Sequence, residues 1–349
     1  MSPVWATPAA VTVRADTSTR ETILVSIPLR RSTLAASAVV ALAAALAACG
    51  GGSDDTGGGS GESKRLSGTV KIDGSSTVAP LSTVASELFK EEQGRVQIPV
   101  GTSGTGGGFE KFCAGEIDIS DASRPIKDEE KAACQKKGIA YSEFAVANDA
   151  LTVVVHKDNT WAKCLTVAQL KKIWEPGSKV DNWKQVDPSF PSEPLKLFGA
   201  GTDSGTFDYF TDEINGEEGK SRTDYQPSED DNVTVQGVAG SKGGLGYFGY
   251  SYFEENAAKL KAVEIDGGDG CIAPSVQTAQ AGTYKPLSRP LFIYPAASAL
   301  KRPEVLAFVE FYVEQHAEIS KRAKFVPLNP EQETKLKSAL ATLKQQAGQ

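Results

Sequence analysis

Three turns in this sequence carry serine, threonine and glycine directly in front of a predicted helix. They cover residues 73–80, 101–108 and 199–206. The first N–H groups of a helix have no partner inside the helix, so such a start can present several neutral donors to one point. Convergent donors of this kind are typical of a site for a compact oxyanion. The alternative is that the hydroxyls only cap helices, which is their common role there.

Residues for catalysis are scarce by comparison. Neither of the two histidines, His156 and His316, neighbours a candidate nucleophile in the sequence. Ser103 lies in Gly-Thr-Ser-Gly-Thr, which lacks the last glycine of the G-x-S-x-G motif. The Lys220-Ser221 pair lacks the first glycine of a P-loop. We therefore expect a binding protein that is not an enzyme and that uses neither a metal ion nor another cofactor.

The elements around the turns alternate between strand and helix patterns. Short apolar strands are predicted near residues 66–72, 96–100, 116–126, 150–155, 195–198 and 290–294. Helices are predicted near residues 81–89, 109–113, 128–137, 165–174, 207–214 and 303–321. Alternation of this kind predicts an α/β fold with a parallel sheet, whose ligands bind at the carboxyl ends of the strands. The chain of 349 residues is long enough for about two domains.

The N-terminal region has the pattern of an export signal. An apolar run at 34–48 follows Arg30 and Arg31 and is short for a membrane span, so residues 1–48 are predicted to be a signal peptide. The run ends in Leu-Ala-Ala-Cys49-Gly, which resembles the lipobox of bacterial lipoproteins and implies a lipid on Cys49. The alternative is an ordinary signal peptide with an incidental cysteine. Residues 49–65 are predicted to be a flexible tether.

Charge and cysteine content agree with an exported protein. The net charge is −7, and it becomes −9 without residues 1–49 because that segment holds four basic and two acidic residues. An acidic chain is a poor partner for nucleic acid or anionic membranes. Four further cysteines, an even number, favour disulfides in an oxidising compartment. Sequence proximity favours Cys113–Cys134 and leaves Cys164–Cys271. The other pairings and four free thiols remain alternatives.

Five motifs together resemble the PstS family, the extracytoplasmic phosphate-binding proteins of high-affinity phosphate ABC transporters. They lie at residues 73–78, 101–109, 118–126, 201–207 and 244–250, in the order of the family. The resemblance covers roughly residues 66–330. It implies a two-lobed periplasmic-binding-protein fold of type II with phosphate in the interdomain cleft. It also implies delivery to permease subunits, and a protein lipid-anchored to the outer face of the cytoplasmic membrane or in the periplasm. We expect a monomer that contacts the membrane only through its lipid.

The resemblance assigns neutral phosphate contacts to all three turns. It implies contacts from Ser76, Thr77 and the backbone around Val78, then from Ser103 or, in a shifted alignment, Thr105. In the second lobe it implies Ser204, Gly205 and Thr206.

Charged contacts are less directly implied, because the arginine that the best-known branch carries before Ser-Gly-Thr is absent at residues 199–203. Arg124 is the replacement that we expect, with a surface ion pair to Asp121 or Asp128 as the alternative. Asp121 is expected to accept the proton of the phosphate, which sulfate cannot supply. Ser123 occupies the family's acidic column, and Asp203 is a competing candidate.

The resemblance also implies how the chain is divided. Lobe 1 is expected to combine residues 66–149 with 289–349, and lobe 2 to cover 150–288. The two crossings, near 147–151 and 288–293, would form the hinge. Other candidate functions are binding of a different oxyanion, such as sulfate or molybdate, binding of a small phosphorylated compound, and a secreted phosphatase-like enzyme.

Overall fold

The computed structural model describes residues 65–349. The predicted signal peptide, Cys49 and the tether up to residue 64 lie outside them. The strands are β1 (Gly68–Thr69), β2 (Ile72–Gly74), β3 (Val96–Gln97), β4 (Ile119–Ala122), β5 (Phe144–His156), β6 (Cys164–Thr166), β7 (Lys196–Ala200), β8 (Gln226–Ser228), β9 (Gly244–Gly249), β10 (Leu260–Ala262), β11 (Glu264–Asp266), β12 (Cys271–Ile272) and β13 (Ser288–Pro295). No helix among the described residues is long and apolar enough to cross a membrane.

Helices connect these strands and pack against them. They are α1 (Ala79–Glu92), α2 (Gly104–Ala114), α3 (Asp128–Lys136), α4 (Val167–Trp174), α5 (Trp183–Val186), α6 (Gly205–Phe210), α7 (Asp231–Ala239), α8 (Tyr250–Asn256), α9 (Val276–Gln280), α10 (Pro303–Glu314), α11 (His316–Arg322) and α12 (Pro330–Ala347). A π-helical turn (Thr211–Asn215) continues α6, and a 3-10 turn (Ala299–Lys301) precedes α10.

One sheet runs through the described chain in the order β2-β4-β13-β5-β9-β7-β8, and β10 also pairs with β5. The pairs β2–β4, β7–β8 and β7–β9 are parallel. The pairs β4–β13, β5–β13 and β5–β9 are antiparallel. The sheet is therefore mixed, whereas strand–helix alternation predicted a parallel one. The difference arises because β5 and β13 run in opposite directions through the middle.

Two large clusters of buried apolar side chains flank this central pair. The first gathers residues from 70–147 and 291–347, and the second gathers residues from 151–287. β5 supplies side chains to both clusters, whereas β13 supplies side chains to the first. Each half therefore has its own core, and the two are joined by strands that cross between them.

The boundaries of several helices differ from the predicted ones. The helix predicted at 303–321 is divided at Gln315, whose backbone leaves the helical region, into α10 and α11. Helix α2 begins at Gly104 rather than Phe109, so the glycine-rich residues 104–108 belong to the helix although glycine disfavours helix, and Gly104 itself has a positive φ of 79°. A Cβ on Gly108 would lie 2.6 Å from the Cα of Gly74, so this helix packs on β2 too closely for a side chain there. Helix α12 was not predicted.

Both expected disulfides are confirmed. Cys113 and Cys134 join α2 to α3, and Cys164 and Cys271 join β6 to β12 at opposite edges of the small sheet β12-β11-β6. The first closes a sequence separation of 21 residues and the second one of 107. Each bond therefore lies within one of the two halves of the chain.

Candidate functional site

A cavity of about 770 Å³ opens where the predicted donor turns approach one another. Its walls come from both halves of the chain and from the crossing strand β13. The lining residues are Ser75, Ser76, Thr77, Ser103, Gly104, Thr105, Gly106, Ser123, Arg124, Pro125, Lys127, Asp208, Tyr209, Asp212, Glu213, Glu218, Arg289 and Pro290. The first two of the three predicted donor turns therefore line the same cavity.

The first turn keeps its hydroxyls free of helix capping. Val78 occupies the N-cap of α1, and no side chain caps this helix. Pro80 lies in the first turn, where its missing N–H does no harm. The hydroxyls of Ser76 and Thr77 therefore do not cap the helix, and both residues line the cavity. Val78 itself is fully buried, and its amide donates to the Ser75 carbonyl at 3.1 Å, so the structure does not bring it to the cavity.

The second turn is held in place by Asp73 at the end of β2. Both the amide and the hydroxyl of Ser103 donate to Asp73 Oδ1, at 2.9 and 2.8 Å, and Lys111 donates to Oδ2 at 2.5 Å. Burial opposes the charge of Asp73, but these hydrogen bonds outweigh it and lower its pKa. Thr105 lies nearby and its hydroxyl is 3.1 Å from that of Ser123. Ser103 and Thr105 thus line the cavity with their hydroxyls already partnered.

The third turn behaves differently from the other two. Ser204 is the N-cap of α6, and its hydroxyl accepts from the Thr206 amide at 3.2 Å, so here the capping alternative describes the geometry. The Gly205 carbonyl accepts from the Thr77 hydroxyl at 3.3 Å. Residues 204–206 contact the first turn directly, and they are not among the residues that line the cavity.

Arg289 supplies a partly buried positive charge to the cavity. It is paired with Asp149 across the β5–β13 ladder, and its Nε lies 3.6 Å from the Asp149 carboxylate. Its Nη2 donates to the Thr77 hydroxyl at 3.3 Å, and its guanidinium lies 3.5 Å from the ring centre of Tyr209. Burial raises the pKa of Asp149, although Arg289 opposes this. The guanidinium is thus fixed from three sides, by Asp149, Thr77 and Tyr209.

Arg124 also lines the cavity, but a carboxylate already engages it on one side. Its two terminal nitrogens donate to Glu130, at 2.9 and 2.7 Å, in a bidentate pair. This bond raises the pKa of Arg124. The ion pair that we expected as the alternative therefore exists, with Glu130 rather than Asp121 or Asp128 as the partner.

Asp121 lies away from the cavity, contrary to the role expected for it. It is fully buried in β4, where Ser82 of α1 donates to its Oδ1 at 2.9 Å. Burial and the charge of Asp73 raise its pKa to about 8, although the bond from Ser82 lowers it. Its main-chain carbonyl accepts from the Ser75 amide at 2.9 Å. Asp121 thus holds the first turn through a main-chain hydrogen bond and does not contact the cavity. The competing candidate Asp203 is exposed and does not line the cavity either.

The carboxylates that do line the cavity come from one segment, residues 208–218. They are Asp208, Asp212, Glu213 and Glu218. Burial, followed by the charge of Glu218, raises the pKa of Asp208, while a hydrogen bond with Ser76 and the charge of Arg289 lower it. Burial and Asp212 raise the pKa of Glu213. An acidic wall therefore faces the donors and the arginines.

Sequence reasoning missed Arg289, Asp149, Tyr209 and Asp208. A signal existed for the first two, because both lie in the predicted crossings 147–151 and 288–293. Asp149 and the preceding Asn148 are consecutive polar residues between the apolar segments 144–147 and 150–151 of β5. A charge in such a strand needs a partner, and Arg289 in the other predicted crossing could have been identified as that partner.

Comparison with known proteins defines the class first. Residues 59–315 match the model of the PBP superfamily domain, and the fold is the two-lobed type II periplasmic-binding fold. A structure described as a possible phosphate binding protein from Planctomyces limnophilus is 50% identical, with a TM-score of 0.77, over 80% of this chain and 99% of that one. An ABC-type phosphate transport receptor from Vibrio cholerae, 21% identical over 75% of this chain and 100% of that one, shares the fold with a TM-score of 0.59.

Curated relatives give the family. Protein SphX from Synechococcus elongatus is 49% identical over 76% of this chain and 80% of its own length. The phosphate-binding protein PstS from Staphylococcus epidermidis is 41% identical over 76% of this chain and 81% of its own length. The chain belongs to the PstS family within this superfamily, as its motifs suggested, and is not an enzyme.

Proposed function

We propose that this protein captures inorganic phosphate outside the cytoplasm and delivers it to the permease of an ABC transporter. The observation that carries the proposal is that Ser76, Thr77 and the partly buried guanidinium of Arg289 line one cavity. Hydroxyls fix the directions of the oxygens of a tetrahedral anion, and a guanidinium can bind two of them at once. Membership of the PstS family supports the choice of phosphate.

Arg289 is the main charged contact in this proposal, and Arg124 is a secondary one. Arg289 lies between the two halves and touches residues of both, Thr77 and Tyr209. Arg124 shares its charge with Glu130 at the cavity wall. Ser103, Thr105 and Ser123 supply further hydroxyls along the same wall.

Asp208 is the proposed acceptor for the proton of the bound phosphate, in place of Asp121. It lines the cavity next to Ser76 and Arg289, whereas Asp121 is a fully buried residue of β4 and does not line the cavity. Hydrogen phosphate has a proton to donate to a carboxylate, and sulfate has none. Sulfate would therefore lie against the carboxylates of residues 208–218 without a proton to donate to them, which favours phosphate over sulfate as the ligand.

Closure of two lobes around the ligand is part of the proposal. Lobe 1 is residues 66–149 with 289–349, lobe 2 is residues 150–288, and the crossings in β5 and β13 form the hinge. The two separate cores support this division. Since donors from lobe 1 and carboxylates from lobe 2 share one cavity, the ligand favours the closed form.

Isothermal titration tests the ligand. Protein freed of phosphate by unfolding, dialysis and refolding with its disulfides intact is titrated with phosphate, sulfate and molybdate. We expect a phosphate dissociation constant in the micromolar range or below, about −8 kcal/mol or stronger, and weaker binding of sulfate. No heat with phosphate at micromolar protein would refute the proposal. Equal affinity for sulfate would favour a general oxyanion receptor.

Anchoring and delivery need separate tests. We propose that Cys49 carries the lipid, so that Cys49→Ala should move the protein from the membrane fraction to the soluble exported fraction, and radiolabelled palmitate should label only the wild type. Delivery is tested in vesicles that contain the permease of the same organism, where the phosphate-loaded protein should stimulate ATP hydrolysis. Stimulation by phosphate alone would argue against a role in delivery.

A further inference from the structure

A third stretch of chain lies at the hinge, although the chain does not cross between the lobes there. It is the connection between α11 and α12, residues 324–329, which we call the hinge strap. The amide and carbonyl of Asn148 in β5 form two hydrogen bonds with Val326 of the strap, at 2.8 and 3.0 Å. β9 pairs with β5 only from Leu151 onward. At Asn148, β5 therefore has β13 on one edge and the strap on the other.

One carbonyl of the hinge strap accepts hydrogen bonds from both lobes. The Pro327 carbonyl accepts from the Asn148 side chain of lobe 1 at 3.2 Å and from the Gln280 side chain of lobe 2 at 2.9 Å. Gln332 of α12 exchanges two further hydrogen bonds with the Asn148 side chain, at 3.1 and 2.8 Å. The strap therefore belongs to lobe 1, and Gln280 contacts it from lobe 2.

Two further contacts join the hinge strap to lobe 2. Val326 packs with Ala279 of α9 in a small buried cluster. Lys324 forms an ion pair with Glu255 of α8. Both side chains of this pair are exposed by more than a third, so salt screens the pair. We therefore expect the hydrogen bond from Gln280 to contribute more than the ion pair.

These contacts lie outside the phosphate cavity, which neither the strap nor its partners in α8 and α9 line. Asn148 and Asp149 are neighbours in a strand, so their side chains point to opposite faces, Asp149 toward Arg289 and Asn148 toward the strap. A second cavity, of about 830 Å³, lies between α8 and α11 and borders the strap. This side of the hinge therefore has room for one lobe to rotate against the other.

We propose that the hinge strap is a conformational device that holds lobe 2 in the closed arrangement, and that the hydrogen bond from Gln280 thereby raises phosphate affinity from outside the cavity. The proposal rests on the proposed function for its lobes, hinge and ligand. Since the strap stays with lobe 1, rotation about the crossings in β5 and β13 carries Gln280 away from the Pro327 carbonyl. Loss of this hydrogen bond favours the open form, and apparent affinity falls with the fraction of protein that is closed.

A matched pair of glutamines in α9 tests the strap. Gln280→Ala removes the hydrogen bond to Pro327. Gln277→Ala is the control, because Gln277 lies in the same helix, is exposed and has no side-chain hydrogen bond among the described residues. Neither glutamine lines the phosphate cavity, and both changes remove the same atoms. Circular dichroism and thermal melting first establish that each variant folds.

Titration with inorganic phosphate and small-angle scattering without phosphate are then measured on all three proteins. If the phosphate-free wild type is mainly open, Gln280→Ala should bind phosphate about two- to tenfold more weakly, the range that one net hydrogen bond represents. If it is mainly closed, Gln280→Ala should have the larger radius of gyration. Gln277→Ala should match the wild type in both. Wild-type affinity and scattering in Gln280→Ala would overturn the proposal.

Glu255→Gln is a second test on an exposed residue. It removes the charge that pairs with Lys324, so it should act in the same direction as Gln280→Ala, by less, and only at low salt. The neighbouring Glu254 is exposed and has no ion pair in the described part of the chain, so Glu254→Gln is its control. If Gln280→Ala does not fold, equal results for Glu255→Gln and Glu254→Gln at low salt would overturn the proposal.

The measurements separate this proposal from the proposed function. A wild type that gives no heat with phosphate would refute the proposed function, and the difference in scattering between Gln280→Ala and Gln277→Ala would still decide the role of the strap. Equal phosphate affinity and equal scattering in all the proteins would refute the strap and leave the proposed function standing.

Discussion

Asp121 should make the stability of this protein depend on pH, and Asp121→Asn should remove that dependence. The carboxyl is fully buried, it accepts one hydrogen bond from Ser82, and its Oδ2 has no partner among the described residues. Burial, aided by the charge of Asp73, raises its pKa from 3.8 to about 8. At neutral pH, Asp121 is therefore protonated in the folded protein and ionised in the unfolded chain.

The sign and size of the effect follow from proton binding. Between pH 4 and pH 8 the folded protein holds one more proton than the unfolded chain at this site, so stability falls as pH rises. The slope is about 1.4 kcal/mol per pH unit. This contribution is fully present below the unfolded pKa, is smaller by about 4 kcal/mol at pH 7, and stops falling above the folded pKa. Asparagine has the same shape, can accept from Ser82 and takes up no proton.

Denaturant unfolding between pH 4.5 and pH 8.5 measures the effect as the difference between Asp121→Asn and the wild type. Other titrating groups cancel in this difference, which should rise in favour of the variant by about 1.4 kcal/mol per pH unit and level off near pH 8. Asp128→Asn is the control, because the Asp128 side chain is 94% exposed and only an ion pair with Lys131 is lost. A difference that does not change with pH would show that Asp121 is ionised in the folded protein and would refute the reasoning.

Three further predictions concern the cavity and the disulfides. Arg289→Ala should weaken phosphate binding by more than tenfold, since removal of a partly buried charge contact costs about 2 kcal/mol, at the low end of the range for buried pairs, and Arg124→Ala should weaken it less because Glu130 shares that charge; titration of both decides, and the reverse order would contradict the assignment. Asp208→Asn should raise sulfate affinity relative to phosphate in competition titrations, and an unchanged ratio would exclude Asp208 as the proton acceptor. Loss of the Cys164–Cys271 bond should lower the free energy of unfolding more than loss of Cys113–Cys134, by about 5 against about 3 kcal/mol, because it closes 107 rather than 21 residues; equal losses in double-alanine variants would contradict this estimate.

The sequence was most informative where the chemistry is local. Serine, threonine and glycine before a helix are adjacent in the chain, and the two turns that contain Thr77 and Ser103 could be predicted from neighbours alone. The same pattern could not distinguish a donor from a cap. Ser204 caps α6, whereas the hydroxyls near α1 do not cap it, and the difference depends on backbone geometry that the residue types do not determine.

The charged contacts were harder to predict because their partners are distant in sequence. Arg289 meets Asp149 only through the register of β5 and β13. Asp121 was expected at the cavity, but β4 is buried on both faces, so alternation could not show which way its side chain points. In a strand without a polar face, a carboxylate is as compatible with the core as with a site.

The two arginines at the cavity share one arrangement that the choice of ligand must respect. Each is backed by a carboxylate, Arg289 by Asp149 and Arg124 by Glu130, and carboxylates also form the wall that includes Asp208. Net positive charge therefore does not select the anion here. In the proposed site, selectivity comes from the directions of the hydrogen bonds, with hydroxyls and the Arg289 guanidinium as donors and the Asp208 carboxylate as the proposed proton acceptor. That combination suits an oxyanion that both accepts and donates hydrogen bonds, as hydrogen phosphate does and sulfate does not.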